Sequence, residues 1–532
     1  MGIQYDGTRR MFKLDTAGTT YIIGITEEGY VGHVYYGKRL RQFGGGHLMR
    51  TQEAPFTPSV NQREKNSFLD FFPMEYPTGG IGDYRESCLD VRNSAGSMAS
   101  EIFYKSHSIE DGKPALEGLP ASFGRADEVQ TLRIVCKDPF LGLQVTLLYS
   151  VFEKEDVIAR SVLVENKGED QLRLEKVYSA CLDMENREFE MVNLCGSWAR
   201  ERHIKRAGVR PGKQMVSSVK GASSHQEHPF LALVTPETTQ ETGEVYGMHF
   251  VYSGNFIAQA EVTHFGYVRM VMGIHGDEFS WRLAPGESFQ APEAVLVYSG
   301  SGLGKMSRSL HDFYREHLIR SPYKYKMRPV LINNWEATYF EFNTEKLLDI
   351  AREAKKNGIE MLVMDDGWFG KRNWDDSSLG DWNVNEEKLT TGLPDLVRQV
   401  RDLGMEFGIW FEPEMVSPDS ELYRAHPDWA IQIAGRTPGQ SRAQYVLDIS
   451  RKEVRDYVYE CVAKILRSAP ISYVKWDMNR QLSDMGSACL PADAQGELFH
   501  RYVLGLYELQ ERLVTDFPEL LLENCSGGGA RF

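Results

Sequence analysis

The chain has little of what would tie it to a membrane, a nucleic acid or an oxidising compartment. No apolar run approaches the roughly 20 residues needed to span a bilayer, and the opening stretch, Met1 to Arg10, holds no apolar signal core. Basic residues are in deficit. The 60 Lys and Arg stand against 75 Asp and Glu, net -15, which leaves no basic footprint for nucleic acid. Cysteine is sparse: Cys88, Cys136, Cys181, Cys195, Cys461, Cys489 and Cys525 are seven, an odd number without CxxC spacing, which argues against a disulfide framework or a zinc site. Internal repeats and low-complexity tracts are missing. These absences lead us to expect a cytoplasmic protein whose acidic surface favours solubility.

What is present is length and a change of period. With 532 residues, 42% of them hydrophobic, at least two domains with substantial cores are expected. The first part is rich in β-branched and aromatic runs separated by Gly, Asp, Asn and Pro: Tyr21 to Ile25, Leu132 to Val135, Gln144 to Ser150, Val157 to Glu165 and Val245 to Tyr252. They predict a β-sandwich over residues 1–300, with a late hairpin turned at Pro285-Gly286. Met306, Leu310, Phe313, Tyr314 and Leu318 recur at three- and four-residue spacing and mark an amphipathic helix, read as a linker over 301–328.

From Val330 onward strands and helices alternate, the pattern of parallel βα units. Strands are expected at Val330 to Trp335, Met361 to Met364, Phe407 to Phe411, Tyr445 to Leu447, Ile471 to Trp476 and Leu520 to Leu522, about six in all. Helices are expected near Thr344 to Lys356, stopped by Gly358, near Pro394 to Leu403, stopped by Gly404, and over Val454 to Leu466. The reading is therefore a multidomain protein, an all-β N-terminal sandwich followed over 329–532 by an α/β (β/α)8 barrel of TIM type.

The strands end in chemistry. They run into Asn333-Asn334-Trp335-Glu336, Asp365-Asp366-Gly367-Trp368, Trp410-Phe411-Glu412-Pro413-Glu414 and Lys475-Trp476-Asp477. Active sites of (β/α) barrels are assembled at the C-terminal ends of their strands. One Asp-Asp-Gly is ordinarily a turn, and a strand-end Lys and Asp an ion pair, but carboxylates and tryptophans converging on one rim suit a neutral saccharide. Indoles stack on the apolar face of a sugar ring while carboxylates take its hydroxyls. Neither GxxxxGK(S/T) nor GxGxxG accompanies these strands, which speaks against nucleotides.

The segments Asp365-Asp366-Gly367-Trp368-Phe369, Trp410-Phe411-Glu412-Pro413-Glu414-Met415, Lys475-Trp476-Asp477-Met478-Asn479-Arg480 and Glu523-Asn524-Cys525-Ser526-Gly527-Gly528-Gly529 resemble the α-galactosidases of glycoside hydrolase family 36, in the same clan as lysosomal α-galactosidase. Met74-Glu75-Tyr76-Pro77, Gly82-Asp83-Tyr84-Arg85, the stretch Gly196 to His203 and Pro292-Glu293-Ala294 resemble that family's N-terminal domain. The resemblance implies hydrolysis of terminal α-D-galactosyl residues of melibiose, raffinose or stachyose, with retention through a covalent intermediate on Asp477. It implies that Lys475 binds the sugar and keeps Asp477 ionised, and that Asp365 and Asp366 accept hydrogen bonds from the 4- and 6-hydroxyls. Trp410 would pack against C6, Arg442 and Asn479 would contact the sugar, Cys525 and Gly528 would line its 2-position, and Trp335 would border the leaving group. No metal or cofactor is implied, and the family often forms homo-oligomers, tetramers among them.

One departure accompanies the resemblance. The family's acid/base aspartate follows the Gly-Gly-Gly segment on a later strand, whereas this sequence ends at Phe532. The expectation is a chain truncated before its last strands and its C-terminal β-domain, with Glu412 and Glu414 structural rather than acidic substitutes. Galactosyl transfer, as in raffinose synthases, and non-catalytic galactoside binding are the alternatives.

Overall fold

The computed structural model describes residues 2–49, 51, 56–58 and 68–532. The chain divides into two compact units, Met1–Val219 with Ser223–Ile319 and Phe532, and Lys220–Ala222 with Arg320–Arg531.

The first unit is built on antiparallel sheets. Ile3–Asp6, Met11–Asp15, Thr19–Ile25 and Val31–Lys38 form a four-stranded meander, and two larger sheets of six and ten strands follow among the described residues. The five strand runs expected here all fall on sheet strands, four of them extended by a residue or more, for example to Val129–Asp138 and Leu143–Phe152, and one ending a residue early at Val251. Pro285-Gly286 does turn the chain, but not into a hairpin. Trp281–Leu283 pairs with Leu172–Glu185, whereas Ser288–Gln290 pairs with Val157–Asn166 in the other large sheet. Turn residues specify a reversal; the partner is chosen by which sheet offers a free edge to bury the apolar side.

Helix α1, Gly302–His317, belongs to this first unit: Met306, Leu310 and Phe313 are buried in one cluster with Val129, Phe152, Val251 and Val295. Two of the resemblance segments are buried ionic networks. Glu75 accepts from Tyr21 and Tyr149 and pairs with His33 at 2.8 Å. Arg269 links Asp83 at 2.9 Å and Asp183 at 2.7 Å. Breaking such a buried pair from one side costs about 3–5 kcal/mol, because the other charge is left uncompensated.

The second unit is a parallel βα array. Strands β1 (Leu331–Asn333), β2 (Met361–Met364), β3 (Glu406–Phe411), β4 (Tyr473–Trp476) and β5 (Leu521–Asn524) pair in chain order, each parallel to the next. Five strands, not about six, make up the sheet among the described residues. Tyr445–Val446 instead pairs antiparallel with Met415–Val416 in a ribbon of its own. β1 is also shorter than expected, since Trp335 opens a single helical turn, Trp335–Thr338. Strand β2 is buried throughout, as a parallel strand covered on both faces must be.

The helices follow from local chemistry. Helix α2 (Thr344–Lys356) starts where the Asn343 side chain accepts from the amide of Lys346 at 3.0 Å, and stops where Gly358 takes a φ of 80°. It buries Leu347, Leu348, Ala351 and Ala354, each large aliphatic among them contributing about 1.5–3 kcal/mol. Helix α3 (Leu393–Asp402) carries Pro394 in its first turn and buries Leu396, Val397 and Val400. Helix α4 (Lys452–Ser468) covers the expected stretch, and a further helix, α5 (Leu498–Asp516), precedes β5.

Candidate active site

The register of the parallel strands brings their C-terminal ends level. Trp410 lies opposite Lys475 and Phe411 opposite Trp476, while Trp476 lies opposite Asn524. The next residue of each strand is therefore delivered to one rim: Asp365 follows Met364, Glu412 follows Phe411, Asp477 follows Trp476 and Cys525 follows Asn524. Backbone bonds fix the last two, with the Asp477 amide donating to the carbonyl of Phe411 and the Cys525 amide to that of Trp476, each at 2.7 Å.

Asp477 is buried and surrounded by donors. Its Oδ2 accepts from Trp410 Nε1 at 3.0 Å and from Asn479 Nδ2 at 2.9 Å, and its Oδ1 from the amides of Met478 at 3.0 Å and Gly527 at 3.4 Å. Burial by itself raises the pKa of this carboxyl, but the charge of Lys475 and the bonds from Trp410, Asn479 and Cys525 outweigh it and leave it below the usual value. Asp477 is thus an anion held ready. The Cys525 thiol beside it moves the other way: burial and the charge of Asp477 push it up to about 12, so it stays a neutral S–H.

Lys475 is bonded to Asp365, not to Asp477: Nζ meets Asp365 Oδ2 at 3.0 Å. Asn333 donates to the same oxygen, and Asn334 fixes the Asp365 amide through its side-chain oxygen at 2.8 Å. Asp366 is gripped by the guanidinium of Arg372, with Nε at 3.0 Å and Nη2 at 2.9 Å, both side chains being buried. Burial still lifts Asp366 above the usual value against the pull of Arg372, and Arg442 is among the charges that lower it. The sharp turn between these carboxylates and the following loop is made at Gly367, whose φ of 106° few other residues adopt.

Of the residues singled out in the sequence, Asp365, Lys475, Trp410, Asn479, Asp477 and Cys525 form one hydrogen-bonded or electrostatically linked set, and Asp366 is adjacent in the chain to Asp365. Arg442 is linked to the set by its charge on Asp366; it and Ala443 both take positive φ, 54° and 53°, a strained pair of the kind that aims a side chain. Gly528 enters through its amide, which donates to the Cys525 sulfur at 3.4 Å. Trp335 packs edge-on against Tyr339 and Phe340, next to the Asn333 that bonds Asp365.

Sequence reasoning missed the supporting layer. Arg372 and Lys388 had no signal, because loops set their distance from Asp366; Lys388 donates to the carbonyls of Phe340, Gly367 and Arg372, each at 2.9 Å, and burial pulls it down to about 8. The two glutamates after β3 differ. Glu414 is structural: Arg531 holds it bidentately at 2.6 and 2.9 Å, with Trp476 and Tyr502 as further donors. Glu412 feels the charge of Asp477 and shares Asn479 with it. Among the described residues no group of three or more His, Cys, Asp or Glu is arranged to hold a metal ion, and no helix is long and apolar enough to cross a membrane.

Comparison with known proteins bears on the family of the chain. The family described as Melibiase matches residues 288–532 and the glycosyl hydrolase family 36 N-terminal domain matches 29–284. The chain is 47% identical to alpha-galactosidase AgaA of Geobacillus stearothermophilus over 533 residues, covering 100% of this chain and 73% of that protein. It superposes on the crystal structure of the alpha-galactosidase AgaB of the same organism with a TM-score of 0.97 at 47% identity, covering 100% of this chain and 73% of that one. A variant of AgaA solved in complex with raffinose gives a TM-score of 0.96 at 47% identity, over 98% of this chain and 73% of that one.

Proposed function

Because the chain belongs to glycoside hydrolase family 36, we propose that it is a retaining α-galactosidase acting on galacto-oligosaccharides such as raffinose, with Asp477 as its nucleophile. The observation that carries the assignment is the state of Asp477, a buried carboxylate kept anionic by Lys475, Trp410, Asn479 and Cys525 at the end of a parallel strand. A carboxylate so held attacks an anomeric carbon as the C–O bond to the leaving group breaks and that group departs with the bonding pair; the glycosyl ester so formed is then opened by water with net retention. Asp365 and Asp366 receive the sugar hydroxyls. Lys475 spans the two tasks, bonded to Asp365 and acting on Asp477 through its charge. Trp410 both packs against the sugar and donates to the nucleophile. Arg442, Asn479, Cys525, Gly528 and Trp335 complete the binding surface in this reading, which needs no metal or cofactor. We also read the protein as cytoplasmic and homo-oligomeric.

The test is hydrolysis of an aryl α-galactoside whose leaving group departs without help from an acid. Asp477→Ala removes nearly all turnover, and azide restores part of it by attacking from the side the carboxylate vacated. Near-normal hydrolysis by Asp477→Ala sinks the assignment, and a rate abolished by EDTA sinks the reading without a metal.

A further inference from the structure

Glu412 is fully buried one strand away from the nucleophile, and its two carboxyl oxygens are unequal. Oε1 accepts from Gln444 Nε2 at 2.8 Å and from the backbone amide of Asn479. Oε2 is buried and finds no hydrogen-bond partner among the described residues, as does Oε1 of the neighbouring Gln444. Asn479 is shared: its amide N–H is bonded to Glu412 and its side chain to Asp477. The other charges nearby are already engaged. Arg480 is spent on the carbonyls of Gln444 and Gly439, Glu414 on Arg531, and Lys475 on Asp365.

An ionised Glu412 would bury a second anion against Asp477 with one oxygen unsolvated, an arrangement that ordinarily shifts one of two neighbouring carboxyls to its neutral form. We propose that Glu412 is a positioning residue for the nucleophile: a neutral carboxylic acid that confines the single negative charge of the pair to Asp477 and holds Asn479 in place to donate to it. Asp477, with its donors and Lys475, keeps the charge; Glu412, with no cation paired to it among the described residues, keeps the proton. The direction of titration agrees, since burial first and the charge of Asp477 second push Glu412 up to about 7. The inference rests on Asp477 as the nucleophile, but part of its test does not depend on turnover.

Infrared difference spectra between the wild-type chain and Glu412→Gln isolate one buried acid carbonyl band. That band is present in acid and disappears with a midpoint about 7. In Asp477→Asn, which removes the neighbouring charge and keeps the shape, the midpoint of Glu412 falls by about one pH unit or more. Absence of the acid band at about pH 5, or an unmoved midpoint in Asp477→Asn, overturns the proposal. The kinetic arm uses an aryl α-galactoside. Glu412→Gln keeps the acceptor for Asn479 and removes the near-neutral ionisation that the proposal expects in the wild-type pH profile of kcat/KM. Glu412→Ala drops the acceptor and lowers kcat by about tenfold or more with little change in KM. Unaltered pH profiles in Glu412→Gln, or a kcat for Glu412→Ala equal to that of Glu412→Gln, overturn the positioning role even where the infrared result stands. A mistaken nucleophile shows itself separately, as turnover surviving in Asp477→Ala.

Discussion

At the scale of single residues, the site separates two carboxylate tasks by their neighbours. Asp477 accepts four hydrogen bonds and is held anionic, the state that the proposed nucleophile needs, whereas Asp365 shares one oxygen between Lys475 and Asn333 and, in the same proposal, receives sugar hydroxyls. Asp365→Asn keeps the shape but turns an acceptor into a donor facing the Lys475 ammonium. An unpaired buried polar group costs roughly 1–3 kcal/mol, so kcat/KM on an aryl α-galactoside should fall about 10- to 100-fold, with a smaller preference over the α-glucoside. A galactoside-to-glucoside ratio equal to that of wild type would show that Asp365 does not read the sugar.

At the scale of elements, the loop after β2 matters more than the strand that feeds it. Arg372 and Lys388 hold the Asp366 turn from below, one through a forked ion pair and the other through three carbonyls. Arg372→Met fills much of the volume but leaves Asp366 buried without its cation, a loss of about 3–5 kcal/mol. Thermal unfolding of that variant should come well below wild type, with residual activity weakened by a displaced Asp366; an unchanged midpoint would mean that Arg372 is dispensable. The strands, α2 and α3 were readable because period, caps and stop glycines are local. Tyr445–Val446 was misread as a barrel strand because a short β-branched run carries no mark of the ribbon it joins with Met415–Val416.

At the scale of the whole molecule, buried neutral histidines govern the response to acid. Burial pushes His228 down to about 4 and His500 to about 3, and burial with His228 nearby pushes His249 well below the usual value. All three stay uncharged in the folded chain while the unfolded chain takes up protons below about pH 6.5. Their contribution to stability is full above that value and is lost as the pH falls toward the folded pKa values, on the order of 2 kcal/mol each by about pH 5 for His228 and His500. Glu412 acts in the opposite sense, its contribution being full below the usual glutamate value of 4.5 and lost as the pH rises toward about 7. The histidines prevail. Urea midpoints should therefore rise between about pH 5 and pH 7, and a midpoint that fell over this range would contradict the neutral histidines.

The βα alternation and the strand ends that carry Asp365, Asp366, Trp410, Lys475, Asp477 and Cys525 were legible in the order of residues alone, and with them a residue set suited to a saccharide. Each depends on neighbours a few positions apart or on a motif matched in order. It took folding in three dimensions to bond Lys475 to Asp365 and leave it acting on Asp477 by charge, to place Arg372 on Asp366, to give Glu414 to Arg531, and to leave one oxygen of Glu412 without a partner among the described residues. The reason is physical. Hydrogen bonds and burial are set by distances across strands and loops tens of residues apart, and Glu412 and Glu414, separated by a single proline, meet entirely different surroundings once β3 and β4 lie side by side.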